Sequence, residues 1–420
     1  MLALDFIRKN PDVVRRAAEL KGEPAPVDEI LKLDGVWRGH LHKAETIKAE
    51  QNELSKQFAK TRDESLKERL REMADTAKSE LSVADSVKRE LDALLLQVPN
   101  VFHDSVPIGE TEADNKVVRE WGSKPGLGFA PRTHYDLGEA LGIMDFERAA
   151  RVSGSRFAFL LGDGARLERA LVQFMLDVHT REHGYTEVWP PMLVNSASMV
   201  GTANLPKFAD MAFKVEQHDL WLIPTAEVPI TNFHREEILD ADDLPLKYVA
   251  YAPSWRTEAG AAGKDTHGFI RLHQFSKVEL VKVTSADTSL EEFESLTHDA
   301  EDILQRLGLH YQVMAMCTGD MGFAQYKKYD LNAWAPGLDR YLEVSSCSTF
   351  NDFQAMRANI RYRPGRGAPP RFAHTINGSG LALPRTIDAI LETYQRSDGM
   401  ISVPDVLKPY MGGVELVGAR

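Results

Sequence analysis

The stretch that decides the fold runs from Tyr248 to Leu280. It reads YVAYAPSWRTE over 248–258, a Gly- and Ala-rich loop over 259–267, and GFIRLHQFSKVEL over 268–280. The first part has strand composition, the middle has turn composition, and the last part alternates with a period of two. The stretch therefore predicts two strands joined as a β-hairpin.

One face of the second predicted strand combines charged and aromatic side chains. Alternation places Ile270, Leu272, Val278 and Leu280 on one face and Phe269, Arg271, His273, Phe275, Lys277 and Glu279 on the other. On the first strand Arg256 and Glu258 share a face in the same way. Phe275 and Glu279 lie roughly 13 Å apart at strand rise, about the span from a nucleotide base to a group esterified at its phosphate. An Arg can clamp a phosphate and a ring can stack on a base, whereas a merely solvated charged face seldom carries two phenylalanines.

Length and composition bound the class of protein. With 420 residues, 43% hydrophobic and 27% charged, the chain has the size of two to three soluble globular domains. No apolar run reaches membrane length, and the N-terminus carries charges too early for a signal peptide. Cys317 and Cys347 form neither a CxxC pair nor a disulfide framework, so we expect a cytoplasmic protein without a cysteine zinc site. The net charge of −12 argues against indiscriminate nucleic-acid binding but permits a local basic patch.

Residues 27–98 show the heptad spacing of a coiled coil. The seam positions alternate in steps of three and four, with one step of seven from Ala77 to Ala84. They form two runs, Ile30, Leu33, Trp37, His40, Ala44, Ile47, Gln51, Leu54 and Phe58, then Leu66, Leu70, Met73, Ala77, Ala84, Val87, Leu91 and Leu94. The polar segment 60–65 interrupts them. The pattern predicts two antiparallel helices joined at a tip, an arm on the order of 45–50 Å long.

The tip of this arm is basic. Between residues 56 and 71 three acids accompany six basic residues, Lys56, Lys60, Arg62, Lys67, Arg69 and Arg71. A dimerisation coiled coil is the simpler interpretation of the heptads. A basic tip on an acidic protein instead indicates contact with the phosphates of a nucleic acid.

Two segments in the C-terminal half carry further candidate side chains. The segment 340–348 reads RYLEVSSCS, a predicted strand in which Glu343 lies beside hydroxyls, and a carboxylate beside hydroxyls suits magnesium on a polyphosphate. The segment 377–385 reads NGSGLALPR, a predicted strand that passes into a helix. Arg385 at the start of this helix is either a ligand contact or simply one exposed Arg.

The quoted stretch resembles motif 2 of the class II aminoacyl-tRNA synthetases, with WRTE at 255–258 and the strand at 268–279. HQFSKVE at 273–279 is similar to the seryl-tRNA synthetases of the bacterial type in particular. The segment 377–385 resembles motif 3. A helix at 166–183, a strand at 186–189 and the prolines that follow resemble motif 1, which builds the dimer interface in the family.

The resemblance extends to both ends of the chain. TAE at 225–227 matches the serine-binding segment of the family, and the N-terminal region resembles the arm that binds the long variable arm of tRNA. It implies an α+β fold: an N-terminal antiparallel two-helix coiled-coil arm, residues 1–105, and a class II catalytic domain on a mainly antiparallel sheet flanked by helices, residues 106–420. It further implies a homodimer that activates L-serine with ATP and Mg²⁺ and esterifies tRNA(Ser), and also tRNA(Sec).

The same resemblance implies roles for single residues. Arg256 would hold the α-phosphate, Arg385 the γ-phosphate, Phe275 would stack on adenine and Glu258 would fix the nucleotide. The implied ATP-binding set is Arg256, Thr257, Glu258, Phe275, Glu343, Val344, Ser345, Ser346 and Arg385, and the implied serine-binding set is Thr225, Ala226, Glu227, Glu279 and Ser379. Glu343 would hold the metal together with Ser346. Since strict alternation places Ser345 on the face of Glu343, that pairing requires a bulge or a strand end.

Two other functions compete with this one. The first is a different ligase on the same scaffold, for another small amino acid or a carrier protein; the arm argues against the carrier ligase, whose relatives lack it. The second is a catalytically inactive coiled-coil binding protein. The intact set of Arg256, Glu258, Phe275, Glu343 and Arg385 argues against the second.

Overall fold

The computed structural model describes residues 1–259 and 268–418. Contacts divide the chain into two compact units, Met1–Pro99 and Asn100–Arg420, whereas the sequence places the boundary after residue 105. Among the described residues, no helix combines the length and the apolar character that crossing a membrane requires.

The N-terminal unit is helical. Its helices are α1 (Leu4–Lys9), α2 (Pro11–Leu20), α3 (Val27–Thr61) and α4 (Ser65–Leu95). The two long helices are antiparallel partners, and every predicted seam position is buried or half-buried between them. Polar side chains complete the contact: His40 Nδ1 lies 2.6 Å from Glu80 Oε2, and Gln51 Nε2 donates to the carbonyl of Leu70. The predicted arm is confirmed, and at 1.5 Å per residue α3 is about 50 Å long.

The C-terminal unit is an α+β domain. Its helices are α5 (His134–Ala140), α6 (Phe146–Ser153), α7 (Asp163–Arg181), α8 (Ser196–Gly201), α9 (Glu227–Thr231), α10 (Ser289–Arg306), α11 (Phe353–Ala358) and α12 (Leu383–Thr393). Its strands are β1 (Lys116–Trp121), β2 (Met144–Asp145), β3 (Phe159–Leu160), β4 (Thr186–Glu187), β5 (Leu193–Val194), β6 (Trp221–Leu222), β7 (Ile238–Asp240), β8 (Leu246–Trp255), β9 (Gln274–Thr284), β10 (Tyr311–Ala315), β11 (Lys327–Ala335), β12 (Arg340–Thr349), β13 (Arg361–Arg363), β14 (Arg371–Phe372), β15 (His374–Ala382), β16 (Ile401–Ser402) and β17 (Leu416–Val417).

An eight-stranded sheet in the order β1-β10-β11-β12-β15-β9-β8-β4 forms the centre of this unit. The pairs from β1 through to β8 are antiparallel, and β4 joins the edge parallel to β8. The helices α7, α10 and α12 contact the sheet, and their apolar side chains, such as Met175, Leu296 and Ile387, are fully or almost fully buried in the main core. The predicted fold class, α+β with a mainly antiparallel sheet, is confirmed.

The predicted hairpin is present, but its strands are shorter at the tip. β8 pairs with β9 as far as Trp255 and Gln274, so Arg256 and Glu258 follow the strand, and Glu258 has a left-handed φ of 53°. Residues 268–273 are turns and bends, so alternation does not hold there: Phe269, Ile270 and Leu272 are all buried, although the pattern placed Phe269 on the opposite face from the other two. The predicted loop at 259–267 lies, apart from residue 259, outside the described residues.

Candidate active site

A polar cavity of about 410 Å³ lies over the centre of the large sheet. Twelve of the residues that the sequence implicates line it: Thr225, Glu227, Arg256, Glu258, Phe275, Glu279, Glu343, Val344, Ser345, Ser346, Ser379 and Arg385. They come from segments far apart in the chain, and the strand order β12-β15-β9-β8 makes them neighbours. Glu279 of β9, for example, is in register with Ser379 of β15.

A bulge in β12 decides which hydroxyl shares the side of Glu343. Leu331 of β11 pairs with Ser345 and the next residue, Asn332, pairs with Glu343, so Val344 is the extra residue. An extra residue shifts the alternation by one position. Ser345 is accordingly buried and donates to the carbonyl of Ser379 at 2.6 Å, while Ser346 is only half-buried. The predicted bulge is confirmed.

The nucleotide side of the cavity carries two arginines with fixed contacts. The guanidinium carbon of Arg256 lies 5.1 Å from the ring centre of Phe275, and its Nε donates to the carbonyl of Pro224 at 3.3 Å. Arg385 donates from Nε to the carbonyl of Ile270 at 3.0 Å and from Nη1 to the carbonyl of Glu343 at 2.8 Å. Arg385 also forms an ion pair with the carboxylate of Glu343 at 3.5 Å, whereas Arg256 contacts a carbonyl and a ring, so the two guanidiniums place positive charge at the cavity.

Glu279 is the central acid of the cavity floor. It is fully buried, its Oε2 accepts a hydrogen bond from Thr225 Oγ1 at 2.6 Å, and it forms an ion pair with Lys277. Its other oxygen, Oε1, is buried and has no hydrogen-bond partner among the described residues. An unpaired buried carboxylate oxygen is costly, so this atom is ready to accept a hydrogen bond from a ligand.

Glu227 is a second buried acid beside it. Gln354 Nε2 donates to Glu227 Oε1 at 2.6 Å, and Thr375 Oγ1 donates in turn to Gln354 Oε1 at 2.6 Å. Burial is the largest influence and raises the pKa of Glu227 to about 7; the hydrogen bond from Gln354 opposes the rise and the charge of Glu279 adds to it. The carboxyl group of Glu227 therefore changes charge near neutral pH.

The carboxylate of Glu343 stays ionised. Enclosure acts to raise its pKa, but the charges of Arg385, Lys328 and Arg256 outweigh that effect and hold the pKa below its ordinary value. Its side chain is 46% exposed. Oxygen donors of this kind suit magnesium, which binds through one or two protein oxygens and keeps water and phosphate oxygens as its other ligands. Within the described ranges no three His, Cys, Asp or Glu side chains gather into a metal cluster.

Two of the predicted residues lie outside the cavity that the described residues enclose. Ala226 is buried behind the wall at the start of α9. Thr257 donates from its backbone nitrogen to the carbonyl of Met211 at 3.0 Å and from Oγ1 to that of Asp210 at 2.5 Å. Its hydroxyl therefore holds the segment 209–211 beside the motif 2 strand.

The cavity also contains side chains without a role predicted from the sequence, namely Arg271, Lys277, Gln325, Lys328 and Asn377. Arg271 binds Glu258 at 2.8 Å and so fixes a residue implicated in nucleotide binding. Alternation already placed Arg271 and Lys277 on the ligand face. For Gln325 and Lys328 the sequence holds no local signal: Lys328 lines the cavity through the pairing of β11 with β12, and Gln325 comes from the segment just before β11.

The six basic residues of the arm tip are all exposed around the turn between α3 and α4. Lys56 forms an ion pair with Glu53 and Lys67 with Glu64. Exposed pairs of this kind contribute little and are easily exchanged for another anion. The tip therefore remains a basic surface.

Comparisons with known proteins identify both units. The seryl-tRNA synthetase N-terminal domain matches residues 1–102, and the tRNA synthetase class II core domain (G, H, P, S and T) matches residues 212–394. A serine–tRNA ligase of Caldanaerobacter subterraneus subsp. tengcongensis is 53% identical over 416 residues, 98% of each chain, and that of Bacillus pumilus is 50% identical over 424 residues, 99% of this chain and 100% of the relative.

Comparison with solved structures indicates the same family. The seryl-tRNA synthetase of Pyrococcus horikoshii, complexed with ATP, is 40% identical, covers 99% of both chains and superimposes with a TM-score of 0.94. The cytoplasmic enzyme of Naegleria fowleri, in complex with AMP, is 33% identical with a TM-score of 0.89 and covers 99% of this chain and 98% of its own. The chain therefore belongs to the seryl-tRNA synthetase family, the class II ligases that use ATP to join serine to tRNA.

Proposed function

We propose that the cavity binds ATP and L-serine end to end, with the adenine at Phe275 and the serine hydroxyl at Glu279. The observation that carries this proposal is Glu279 Oε1, a buried acceptor without a partner among the described residues. A serine hydroxyl donates to it, whereas alanine leaves it unpaired. A site built in this way rejects the analogue that lacks the hydroxyl.

The first step needs no nucleophile from the protein. An oxygen of the serine carboxylate attacks the α-phosphorus of ATP, the bond to the bridging oxygen breaks, and pyrophosphate leaves with the electron pair. Arg256 and Arg385 lie at the cavity with their charges available, and they are placed to stabilise the negative charge on the phosphates. Glu227 in its ionised form is suited to the serine ammonium group. Positioning and charge stabilisation carry this step.

The second step transfers serine to tRNA(Ser). A hydroxyl oxygen of the 3′-terminal ribose attacks the carbonyl carbon of seryl-adenylate, the bond from that carbon to the phosphate oxygen breaks, and AMP leaves with the electron pair while the hydroxyl proton passes to its phosphate. The basic tip of the arm supplies binding to the tRNA phosphates. By resemblance alone, tRNA(Sec) is a second substrate, and the cytoplasm is where both tRNAs are charged.

Magnesium belongs to the same proposal. Glu343 and Ser346 would hold it, since the bulge at Val344 separates Ser346 from Ser345 and Glu343 remains ionised. When bound, magnesium neutralises phosphate charge and orients the polyphosphate. Glu343 Oε2 and Arg385 Nη1 lie 3.5 Å apart, so the carboxylate also holds the guanidinium beside the proposed magnesium site.

A homodimer is the proposed assembly. Next to α7 and β4, which match the segments implicated in motif 1, lies an open groove of about 450 Å³ that includes Leu160, Val172, Leu176 and Tyr251. Trp189, which follows β4, is 88% exposed. An exposed apolar surface of this kind marks a protein interface.

The decisive experiment is ATP–pyrophosphate exchange measured with each of the twenty amino acids. Serine is expected to support exchange far above alanine, glycine and threonine. Exchange that is strongest with another amino acid would overturn the assignment of the pocket, and the absence of exchange with every amino acid would favour the inactive binding protein.

A further inference from the structure

Three buried ionisable side chains form a cluster that the proposed chemistry does not use. They are His134 at the start of α5 and Asp388 and Glu392 on α12, and all three are fully buried. Nδ1 of His134 lies 2.8 Å from Oε1 of Glu392, and Nε2 lies 3.6 Å from Oδ2 of Asp388. Removing such groups from water costs free energy, and well-packed apolar side chains would often be at least as stable. The cluster therefore indicates a need for fixed geometry at this place.

The charges within the cluster support one another. Burial acts to lower the pKa of His134, but the charge of Asp388 and the hydrogen bond with Glu392 outweigh it, and the pKa is raised. The charged imidazolium, which carries a proton on both ring nitrogens, is thereby favoured. Burial raises the pKa of Asp388 to about 7, and the charges of His134 and Arg385 oppose the rise. The ring of His134 therefore donates from Nδ1 to Glu392 and places positive charge beside Asp388.

Glu392 joins two other segments to α12. Its Oε1 accepts hydrogen bonds from the backbone nitrogen and Nδ1 of His134 at 2.9 and 2.8 Å. Its Oε2 accepts from the backbone nitrogens of Gly337 and Leu338, in the turn between β11 and β12, at 2.7 and 3.1 Å. A Cβ at Gly337 would lie 2.1 Å from the carbonyl oxygen of Arg132, so this turn also packs directly on the segment before α5. One carboxylate thus fixes the spacing of α5, α12 and the β11–β12 turn.

The ring of His134 also sets the position of the turn at 268–270. A Cβ at Gly268 would lie 2.3 Å from His134 Nε2, and Gly268 has a left-handed φ of 78°. A residue with a side chain at this position would displace the ring or the turn. Leu338 packs on the small apolar cluster that contains Ile270. The turn at 268–270 and the β11–β12 turn therefore meet each other, and both contact the buried cluster.

Arg385 is oriented by the same segments. Its Nε donates to the carbonyl of Ile270 at 3.0 Å, and its Nη1 donates to the carbonyl of Glu343 at 2.8 Å. Ile270 belongs to the turn that packs against His134, and Glu343 lies on β12 shortly after the turn that Glu392 binds. Arg385 and Glu392 are seven positions apart on α12, which is about two turns along one face of the helix. The cluster thus fixes both the helix that carries the guanidinium and the two carbonyls that orient it.

We propose that His134, Asp388 and Glu392 are positioning residues for Arg385, and that they hold its guanidinium in the orientation that meets the γ-phosphate of ATP. The inference rests on the contact between Arg385 and the γ-phosphate in the proposed function. Among the described residues that line the cavity, none of the three is present. They therefore act on ATP through Arg385 and not by direct contact.

The first test compares ATP with AMP, which lacks the γ-phosphate. The dissociation constants of ATP with magnesium and of AMP are measured by isothermal titration calorimetry for wild-type enzyme and for His134→Ala. The variant is expected to bind ATP about 10- to 100-fold more weakly, the range for one charge-assisted hydrogen bond, and AMP within about twofold of wild type. His134→Asn keeps a donor at the place of Nδ1 and is expected to lose less ATP affinity than His134→Ala. It also carries the comparison if the alanine variant does not fold.

The second test asks whether His134 acts through Arg385. In serine-dependent pyrophosphate exchange, His134→Ala and Arg385→Ala are each expected to lower kcat/KM for ATP by at least about tenfold, and the double variant to lie within about twofold of Arg385→Ala. The KM for serine should stay near wild type in His134→Ala. His234→Ala is the matched control and should keep kcat/KM for ATP near wild type. His234 is also buried, and its Nδ1 lies 2.8 Å from Glu237 Oε2, the same separation as in the pair of His134 and Glu392.

Three results overturn the inference. They are wild-type affinity for ATP in His134→Ala, equal weakening of ATP and AMP, and losses that multiply in the double variant; the last two would assign the cluster to fold stability alone. A different result would refute the proposed function itself: if Arg385→Ala supports exchange at the wild-type level, Arg385 does not bind the γ-phosphate. The inference about the buried cluster would then fail with it.

Discussion

Replacing Glu279 by Gln tests the serine pocket with the smallest change of shape. In the wild-type cavity Glu279 Oε2 is bound by Thr225 and Lys277, and Oε1 is left for the substrate hydroxyl. A hydrogen bond to a charged acceptor contributes about 1.5–3 kcal/mol and one between neutral groups about 0.5–1.5 kcal/mol. The difference of about 1–1.5 kcal/mol predicts that the preference for serine over alanine, measured as the ratio of kcat/KM in pyrophosphate exchange, falls by about 5- to 13-fold.

The same substitution has a cost in stability that must be kept apart from the effect on catalysis. Lys277 is only 8% exposed, and removing one partner of a buried ion pair costs about 3–5 kcal/mol. The double variant Lys277→Met/Glu279→Gln removes both charges and is expected to regain most of the lost free energy of unfolding. The KM for ATP of the Glu279→Gln variant should remain near wild type. A serine-to-alanine ratio equal to that of the wild type would refute the contact between Glu279 and the hydroxyl.

Three further predictions address the phosphates, the ammonium group and the arm. Arg256→Ala should lower pyrophosphate exchange at least 100-fold, the loss expected for a transition-state donor, with little change in thermal unfolding; exchange within a few-fold of wild type would exclude the phosphate role. Because the pKa of Glu227 is raised to about 7, its carboxylate fraction grows between pH 6 and 8, so the KM for serine should fall by about tenfold over that range and Glu227→Gln should flatten the profile. The change of Lys60, Arg62 and Lys67 to Ala should raise the KM for tRNA(Ser). It should also make the slope of the logarithm of the binding constant against the logarithm of the salt concentration shallower by about 0.9 per lost phosphate contact.

The arm variant has a control in the same chain. For the arm, neutralising the exposed residues Lys43, Lys48 and Lys78 removes as much charge away from the tip and should leave tRNA binding near wild type. An equal loss in both variants would show a general charge effect and not a site at the tip. For Glu227, the raised pKa also means that its contribution to folding stability is present at low pH and is lost as the pH rises through about 7.

The arm was predictable residue by residue, because burial between two antiparallel helices depends on a local period. Every seam position from Ile30 to Leu94 follows the heptad pattern. The end of the hairpin was not predictable in this way. A Cβ at Gly268 would lie 2.3 Å from His134 Nε2, so the chain turns there against a residue more than a hundred positions away. This turn places Phe269 in the core, and no alternation pattern contains such a contact.

Some residues of the candidate site were likewise predictable from local sequence, and others were not. Side chains on β9 and at the start of α12 could be identified from the sequence, because each sequence motif and each alternation pattern lies within one continuous segment. Gln325 and Lys328 reach the cavity through strand order, which a local pattern does not encode.

The polar atoms of the cavity floor connect stability with function. Glu279 Oε1 and Asn377 Oδ1 are both buried, both belong to residues that line the cavity, and neither finds a hydrogen-bond partner in the described part of the chain. Buried polar atoms left in this state reduce the stability of a fold, and most proteins pair nearly all of them. A ligand that supplies the missing donors recovers that free energy on binding, whereas a ligand without them leaves the cost in place. In the proposed binding mode, selection for serine and the unpaired polar atoms of the cavity floor are therefore two consequences of the same arrangement of side chains.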